Sequence, residues 1–187
     1  MLLGLGLRLY GLDAQSLWYD EGFGVYLARM DVDEITARTA ADIQPPLYYC
    51  LLHGWIRLFG DGERALRGLS ALFGVLTVPL VYAVAWQLFH SRLAGLLAAL
   101  LVAVSPLHVW YGQEVRMYTL LTFLCLLSSY FLLLAVKAEK TGSTVILWTA
   151  YTLANVASLY THYFAFFVLA FQAVYVLLVW VARGGRP

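Results

Sequence analysis

Residues 69–89 read LSALFGVLTVPLVYAVAWQLF, a run without a single formally charged side chain. A helix rises about 1.5 Å per residue, so this run is long enough to cross a hydrocarbon layer of about 30 Å. Pro79 lies inside it, which a membrane helix tolerates because neighbouring groups satisfy the freed backbone. Working outward, apolar runs recur at 93–109, 117–136, 145–160 and 164–181, and none of their interiors holds Asp, Glu, Lys or Arg. That pattern predicts five membrane spans.

Composition agrees. The chain is 62% hydrophobic and 12% charged, with mean hydropathy +0.76, where a soluble domain carries about 25% charged residues. A formal net charge of +1 offers nothing to nucleic acid, which is excluded as a partner. Cys50 and Cys125 fall within apolar segments, so no disulfide framework is implied. Residues 1–10 are apolar but reach only about 15 Å as a helix. They read as the end of a truncated first span.

Basic loops set the direction. His90-Ser91-Arg92, the loop with Lys137 and Lys140, and the terminal Arg183 and Arg186 alternate so as to share one side, assigned to the cytoplasm. Residues 11–67, the loop around Glu114 and the turn at His162 then share the outer side. Arg8, Arg57, Arg64 and Arg67 fall there too, against the rule. Residues 46–59, PLYYCLLHGWIRLF, are too short to cross. They are expected as a helix at the outer interface, with Tyr48, Tyr49 and Trp55 at headgroup depth. Asp31 followed by Glu34 has the spacing of a capping box and predicts a short helix through Ala41. Pro45-Pro46 closes that helix and opens the next, which Gly60-Asp61-Gly62 ends.

The acids concentrate on this outer side. Asp20-Glu21 is either a helix N-terminus with acids favoured by the dipole or a general base beside the membrane plane. Glu114 is either part of a polar turn between spans or a second reactive carboxylate. Arg64 and Arg67 precede a span and either snorkel to headgroups or bind a phosphate through the guanidinium fork. His162 caps a span end or meets a ligand or metal, and Gln44 is a pocket residue or a loop residue. Solvent-facing carboxylates gathered on one face point to a reaction site at the membrane surface. A transporter or channel fragment is the rival reading, and it places ionisable groups near mid-bilayer. A non-catalytic membrane scaffold is the other.

Four ordered stretches add a resemblance. LRLYGLDAQSLWYDEGFGVYLA, DIQPPLYYCLLHGWIRLFG, ERALRGLSALFG and SPLHVWYGQEVRMYTLL, with SLYTHYFAF further on, resemble membrane glycosyltransferases of the GT-C fold. The similar group contains protein O-mannosyltransferases and the lipid A aminoarabinose transferase. The resemblance implies an all-α polytopic membrane protein, a GT-C-type helix bundle with juxtamembrane helices in its first extracytoplasmic loop. It implies transfer of a hexosyl or pentosyl unit from a polyprenyl-phosphate donor to a protein, lipid or glycan acceptor outside the plasma (inner) membrane, with inversion. Asp20 matches the acid that activates the acceptor, with Glu21 beside it, and Glu114 matches the acidic position of the second loop. Arg67 and Arg116 are implied at the leaving phosphate, while Gln44, Tyr111 and His162 are expected to line the substrate site. Gln44 stands where the aminoarabinose transferase has a basic residue. No cofactor is called for with certainty, and a divalent metal is left open. The chain reads as one domain, the catalytic half of a longer protein.

Overall fold

The computed structural model describes residues 1–138, 142–182 and 184. Every regular element among them is a helix: α1 Leu2–Leu9, α2 Tyr19–Ala28, α3 Val32–Ala40, α4 Leu47–Phe59, α5 Glu63–Phe89, α6 Arg92–Val104, α7 Pro106–Gly112, α8 Tyr118–Lys137, α9 Gly142–Leu159 and α10 Ala165–Ala182. Lys140, Arg183 and Arg186, which the topology reading uses, lie outside the described residues.

α5 is the central element and touches α1, α4, α6, α7 and α8. Its 27 residues span about 40 Å, roughly 10 Å more than a hydrocarbon layer. Its first turns, with Glu63, Arg64 and Arg67, therefore extend beyond the apolar part. The sequence reading placed these residues in a loop; they are the start of the helix. α6 lies close along α5 because Gly95 has no side chain: a Cβ there would come within 2.8 Å of the Tyr82 ring. On its other side α8 packs against α9 and α10, and Gln172 of α10 donates to Ser128 Oγ (2.8 Å) and Ser129 Oγ (3.0 Å). Such polar pairs hold helices together where lipid removes the hydrophobic drive.

α5, α8 and α10 are long and apolar enough to cross a membrane, whereas the apolar stretch Thr144–Leu159 of α9 is shorter. Residues 93–109, expected as one span, form instead α6 and α7, bent by 58°. The cause is local. Pro106 has no N–H to continue the ladder and disfavours helical backbone at Ser105. Ser105 is extended there, and its hydroxyl caps the new helix at His108 N (3.4 Å). The faces of α6 and α10 turned away from the bundle are apolar, with Leu101 69% and Phe167 75% exposed, a surface suited to lipid.

The main core lies at one end of the bundle. Val25, Ala28, Ile35, Tyr48, Tyr49 and Leu52 from α2–α4 pack with Leu66 and Leu69 of α5 and with Val115, Met117 and Leu120. The segment holding α2–α4 is thus docked on the bundle. Tyr48 and Tyr49, expected at headgroup depth, are buried in this core, and Tyr48 OH hydrogen-bonds Ser70 Oγ (3.0 Å). Trp55 donates its indole N–H to the Ala65 carbonyl (2.6 Å). Asp31 stands at the N-cap of α3 but its side chain makes no capping bond, and Glu34 pairs with Arg38 (2.8 Å) instead of completing a capping box. At the far end, Lys137 donates to the Gln87 carbonyl (2.6 Å), which brings the C-terminal ends of α5 and α8 together.

Candidate active site

At the core end of the bundle a cavity of about 580 Å³ opens between the 11–18 segment, the start of α5 and the α7–α8 loop. Glu21, Arg67, Tyr111, Glu114 and Arg116 line it, together with Trp18, Trp110, Gln113 and Tyr118. Such a volume is ordinary for a small-ligand site.

Its floor is a buried ion pair. Glu21 is 0% exposed and meets Arg67 in a fork, Nε to Oε1 at 3.0 Å and Nη2 to Oε2 at 2.8 Å. Glu21 also accepts from the Val115 N–H (2.8 Å) and the Trp18 N–H (3.2 Å). Burial alone works to raise its pKa; the Arg67 and backbone hydrogen bonds outweigh this and hold it below the ordinary value. Glu21 is thus a buried carboxylate with four donors, fixed in place and away from bulk water. A guanidinium has five N–H donors, and in Arg67 each has an acceptor: the two Glu21 oxygens and the carbonyls of Leu12 (2.7 Å), Gln15 (2.8 Å) and Ser16 (3.4 Å). Arg67, expected at the leaving phosphate, thus has every donor engaged within the protein. Its donors hang the 11–18 segment over the cavity.

Arg116 is the cation with capacity to spare. Nη1 pairs with Asp20 Oδ2 (3.2 Å) and Nη2 donates to Tyr118 OH (3.1 Å), while Nε is buried with no partner. Its carbon centre lies 5.4 Å from the centre of the Tyr118 ring, a favourable cation–π distance. Asp20 does not line the cavity. Its side chain is 38% exposed and reaches the site through Arg116, one residue before Glu21 on the first turn of α2.

Glu114 accepts from the Trp110 indole N–H at Oε1 (2.7 Å); Oε2 has no partner among the described residues. Burial raises its pKa, and the Glu21 charge adds to this against the Trp110 hydrogen bond, Arg116 and Arg67. Two acids on one cavity are thus pushed in opposite directions by their surroundings, which marks the cavity as a functional-site candidate. Tyr111 lies ring to ring with Tyr118 at 4.6 Å.

Besides Asp20, two further expected residues lie off the cavity. His162 backs Tyr118, with ring centres 6.2 Å apart, and accepts from the Phe164 N–H (3.1 Å); burial, then the Arg116 charge, lowers its pKa. Gln44 has a buried Oε1 without a partner and stands beside Pro45, which lines a separate apolar cavity between α3, α4 and the α9–α10 turn. Among the described residues no group of three or more His, Cys, Asp and Glu side chains could hold a metal. The sequence reading missed Trp18, Trp110, Gln113 and Tyr118. An aromatic beside each acidic motif was the available signal, since Trp18 precedes Asp20 and Trp110 precedes Glu114.

Residues 43–184 match the family described as dolichyl-phosphate-mannose-protein mannosyltransferase. Comparison with curated proteins and with solved structures gave no match. The matched stretch covers most of the chain, so the chain belongs to that family, membrane glycosyltransferases that draw sugar from a polyprenyl-phosphate donor. It is an integral membrane protein. Asp20 and Glu21 precede the matched residues; Arg67, Glu114 and Arg116 lie within them.

Proposed function

We propose that this member of the dolichyl-phosphate-mannose-protein mannosyltransferase family transfers a sugar from its lipid-phosphate carrier to an acceptor hydroxyl or amine at the extracytoplasmic face of the plasma (inner) membrane, with inversion. One observation carries the reading. A single cavity holds Arg116, whose buried Nε has no partner, a half-buried acid of raised pKa, Glu114, and four aromatic rings, Trp18, Trp110, Tyr111 and Tyr118.

Asp20 acts as the base. Its Oδ2 lies 3.2 Å from Arg116 Nη1, which orients the carboxylate, and its exposure leaves it open to an incoming acceptor. As Asp20 takes the proton, the acceptor atom attacks the anomeric carbon and the glycosidic bond to phosphate breaks. Negative charge then grows on the leaving phosphate, where Arg116 stands ready as a fixed cation. Attack from the face opposite the leaving group inverts the anomeric centre. Glu114 receives a sugar hydroxyl beside the Trp110 ring. Glu21 and Arg67 act by position: they fix the 11–18 segment and the start of α2, and so Asp20.

Within the GT-C group, the reading sets this chain nearer the O-mannosyltransferases than the aminoarabinose transferase, because Gln44 replaces a basic residue there. Donor and acceptor would both reach the site from the end of the bundle opposite Lys137. The test is binding of polyprenyl-phosphate mannose by the whole chain in lipid vesicles. Charge-assisted hydrogen bonds contribute about 1.5–3 kcal/mol, so Arg116→Ala should weaken donor binding by about 10- to 10²-fold. Unchanged donor affinity in folded Arg116→Ala protein would remove Arg116 from the phosphate site.

A further inference from the structure

Arg8 is fully buried among α1, α5, α6 and α7, and none of the roles above uses it. Its guanidinium donates to the carbonyls of Ala103 (3.2 Å) and Val102 (3.2 Å), to the Gly4 carbonyl (2.9 Å), and meets His108 Nδ1 at 2.7 Å. Val102 O is the acceptor that an N–H at position 106 would have used in a continuous helix, and Pro106 has none. Ala103 O belongs to the same last turn of α6, where the chain bends. Arg8 thus satisfies the carbonyls that the break between α6 and α7 leaves without partners, and its positive charge suits that helix end. The slot is cut to fit: a Cβ on Gly74 would lie 2.9 Å from Arg8 Nε, and one on Gly112 3.3 Å from Arg8 Cδ.

A second contact runs the other way. Gln113, at the end of α7, donates to the Tyr10 carbonyl (2.7 Å) and the Leu7 carbonyl (3.1 Å) at the end of α1. α1 and α7 therefore clasp each other, and the clasp is followed directly by Glu114. Trp110, whose indole holds Glu114, lies on the same short helix.

Taking the proposed transfer as its premise, we propose that Arg8 is a positioning residue of the reaction: from inside the bundle it fixes the α6–α7 bend and thereby the placement of Trp110 and Glu114 on the cavity wall. Arg8 touches no substrate. Its loss should let α7 reorient while α5 and α8 stay folded. A misplacement of about 1 Å can cost about 10²-fold in rate.

The experiment compares the whole chain in vesicles with Arg8→Met, Arg8→Lys and Gly112→Ala, by hydrogen exchange and by sugar transfer. Exchange of the amides at 107–116 needs no activity. It should speed by at least about tenfold in Arg8→Met, with the amides of α8 unchanged. Transfer should fall chiefly in kcat, with KM within a few-fold, and Arg8→Lys should restore part of both. Gly112→Ala, which crowds the guanidinium without removing it, should give a weaker version of the same pattern and serves if Arg8→Met does not fold. Unchanged exchange at 107–116 in folded Arg8→Met, or in Gly112→Ala where only that variant folds, overturns the proposal. So does loss spread evenly over all helices. If wild-type protein transfers no sugar, the functional reading fails while the exchange result still decides the clasp.

Discussion

Replacing Glu21 by Gln should be among the most damaging single-atom changes in this protein. Glu21 is 0% exposed and both its oxygens face only donors: Arg67 Nε and the Val115 N–H at Oε1, Arg67 Nη2 and the Trp18 N–H at Oε2. A carboxamide keeps one acceptor oxygen and turns the other site into a donor. Whichever way it flips, an NH2 group confronts two N–H donors, and Arg67 is left as a buried cation without its counter-charge. Breaking one partner of a buried pair costs about 3–5 kcal/mol, against a total stability of about 5–15 kcal/mol. The assay is reversible unfolding in mixed micelles with wild type, Glu21→Gln, Arg67→Met and the double variant. The double variant should lose less than the sum of the singles, because the stranded charge is gone. The pH dependence has a definite sign. A carboxyl held below its unfolded pKa contributes stability that is complete above that unfolded value and is lost as pH falls through the folded value. Wild type should therefore lose its advantage over Glu21→Gln in acid, below about pH 4. A folded Glu21→Gln within 1 kcal/mol of wild type at neutral pH, on the scale of an exposed pair, would refute the reasoning.

Two other outcomes follow from the same geometry. Glu114 has the opposite sign: a raised folded pKa means that its ionisation opposes folding, so Glu114→Gln should match wild type in acid and become the more stable protein as pH rises through the window above about pH 4, read by melting temperature against pH. Gly95→Ala forces a methyl to within 2.8 Å of the Tyr82 ring and should cost about 1–3 kcal/mol by overpacking, measured as a lower unfolding midpoint, whereas Gly54→Ala, with open space at its Cβ, should not.

Run length and hydropathy made the long helices legible. The run at 117–136 appears as α8 Tyr118–Lys137 and that at 164–181 as α10 Ala165–Ala182, because an apolar run flanked by polar turns has few other ways to satisfy its backbone in lipid. Pro46 and Gly60 likewise bracket α4, where the chain's own punctuation sets the ends. The break at Pro106 was readable from the same proline rule but was masked by the apolar run around it. Arg8 and Arg67 were not legible. Hydropathy treats each arginine as a charge seeking water, yet both direct donors at backbone carbonyls far along the chain, Arg8 at Val102 and Ala103 and Arg67 at Leu12, Gln15 and Ser16, and carbonyl acceptors carry no sequence signature. For the same reason the acids were found as a cluster while their division of labour was not: nothing in Asp20-Glu21 says which neighbour turns inward to Arg67 and which outward to Arg116.

The central claim is that Asp20, beside this cavity and paired with Arg116 on its wall, activates the acceptor. The measurement is single-turnover sugar transfer from polyprenyl-phosphate mannose by wild-type protein and Asp20→Asn, with donor binding recorded on the same preparations. Asn keeps the shape and removes the basicity. The account predicts a rate lower by about 10²-fold or more, with Asp20→Asn still folded and still binding donor, since the phosphate contact lies with Arg116. Near-normal transfer by folded Asp20→Asn would contradict it.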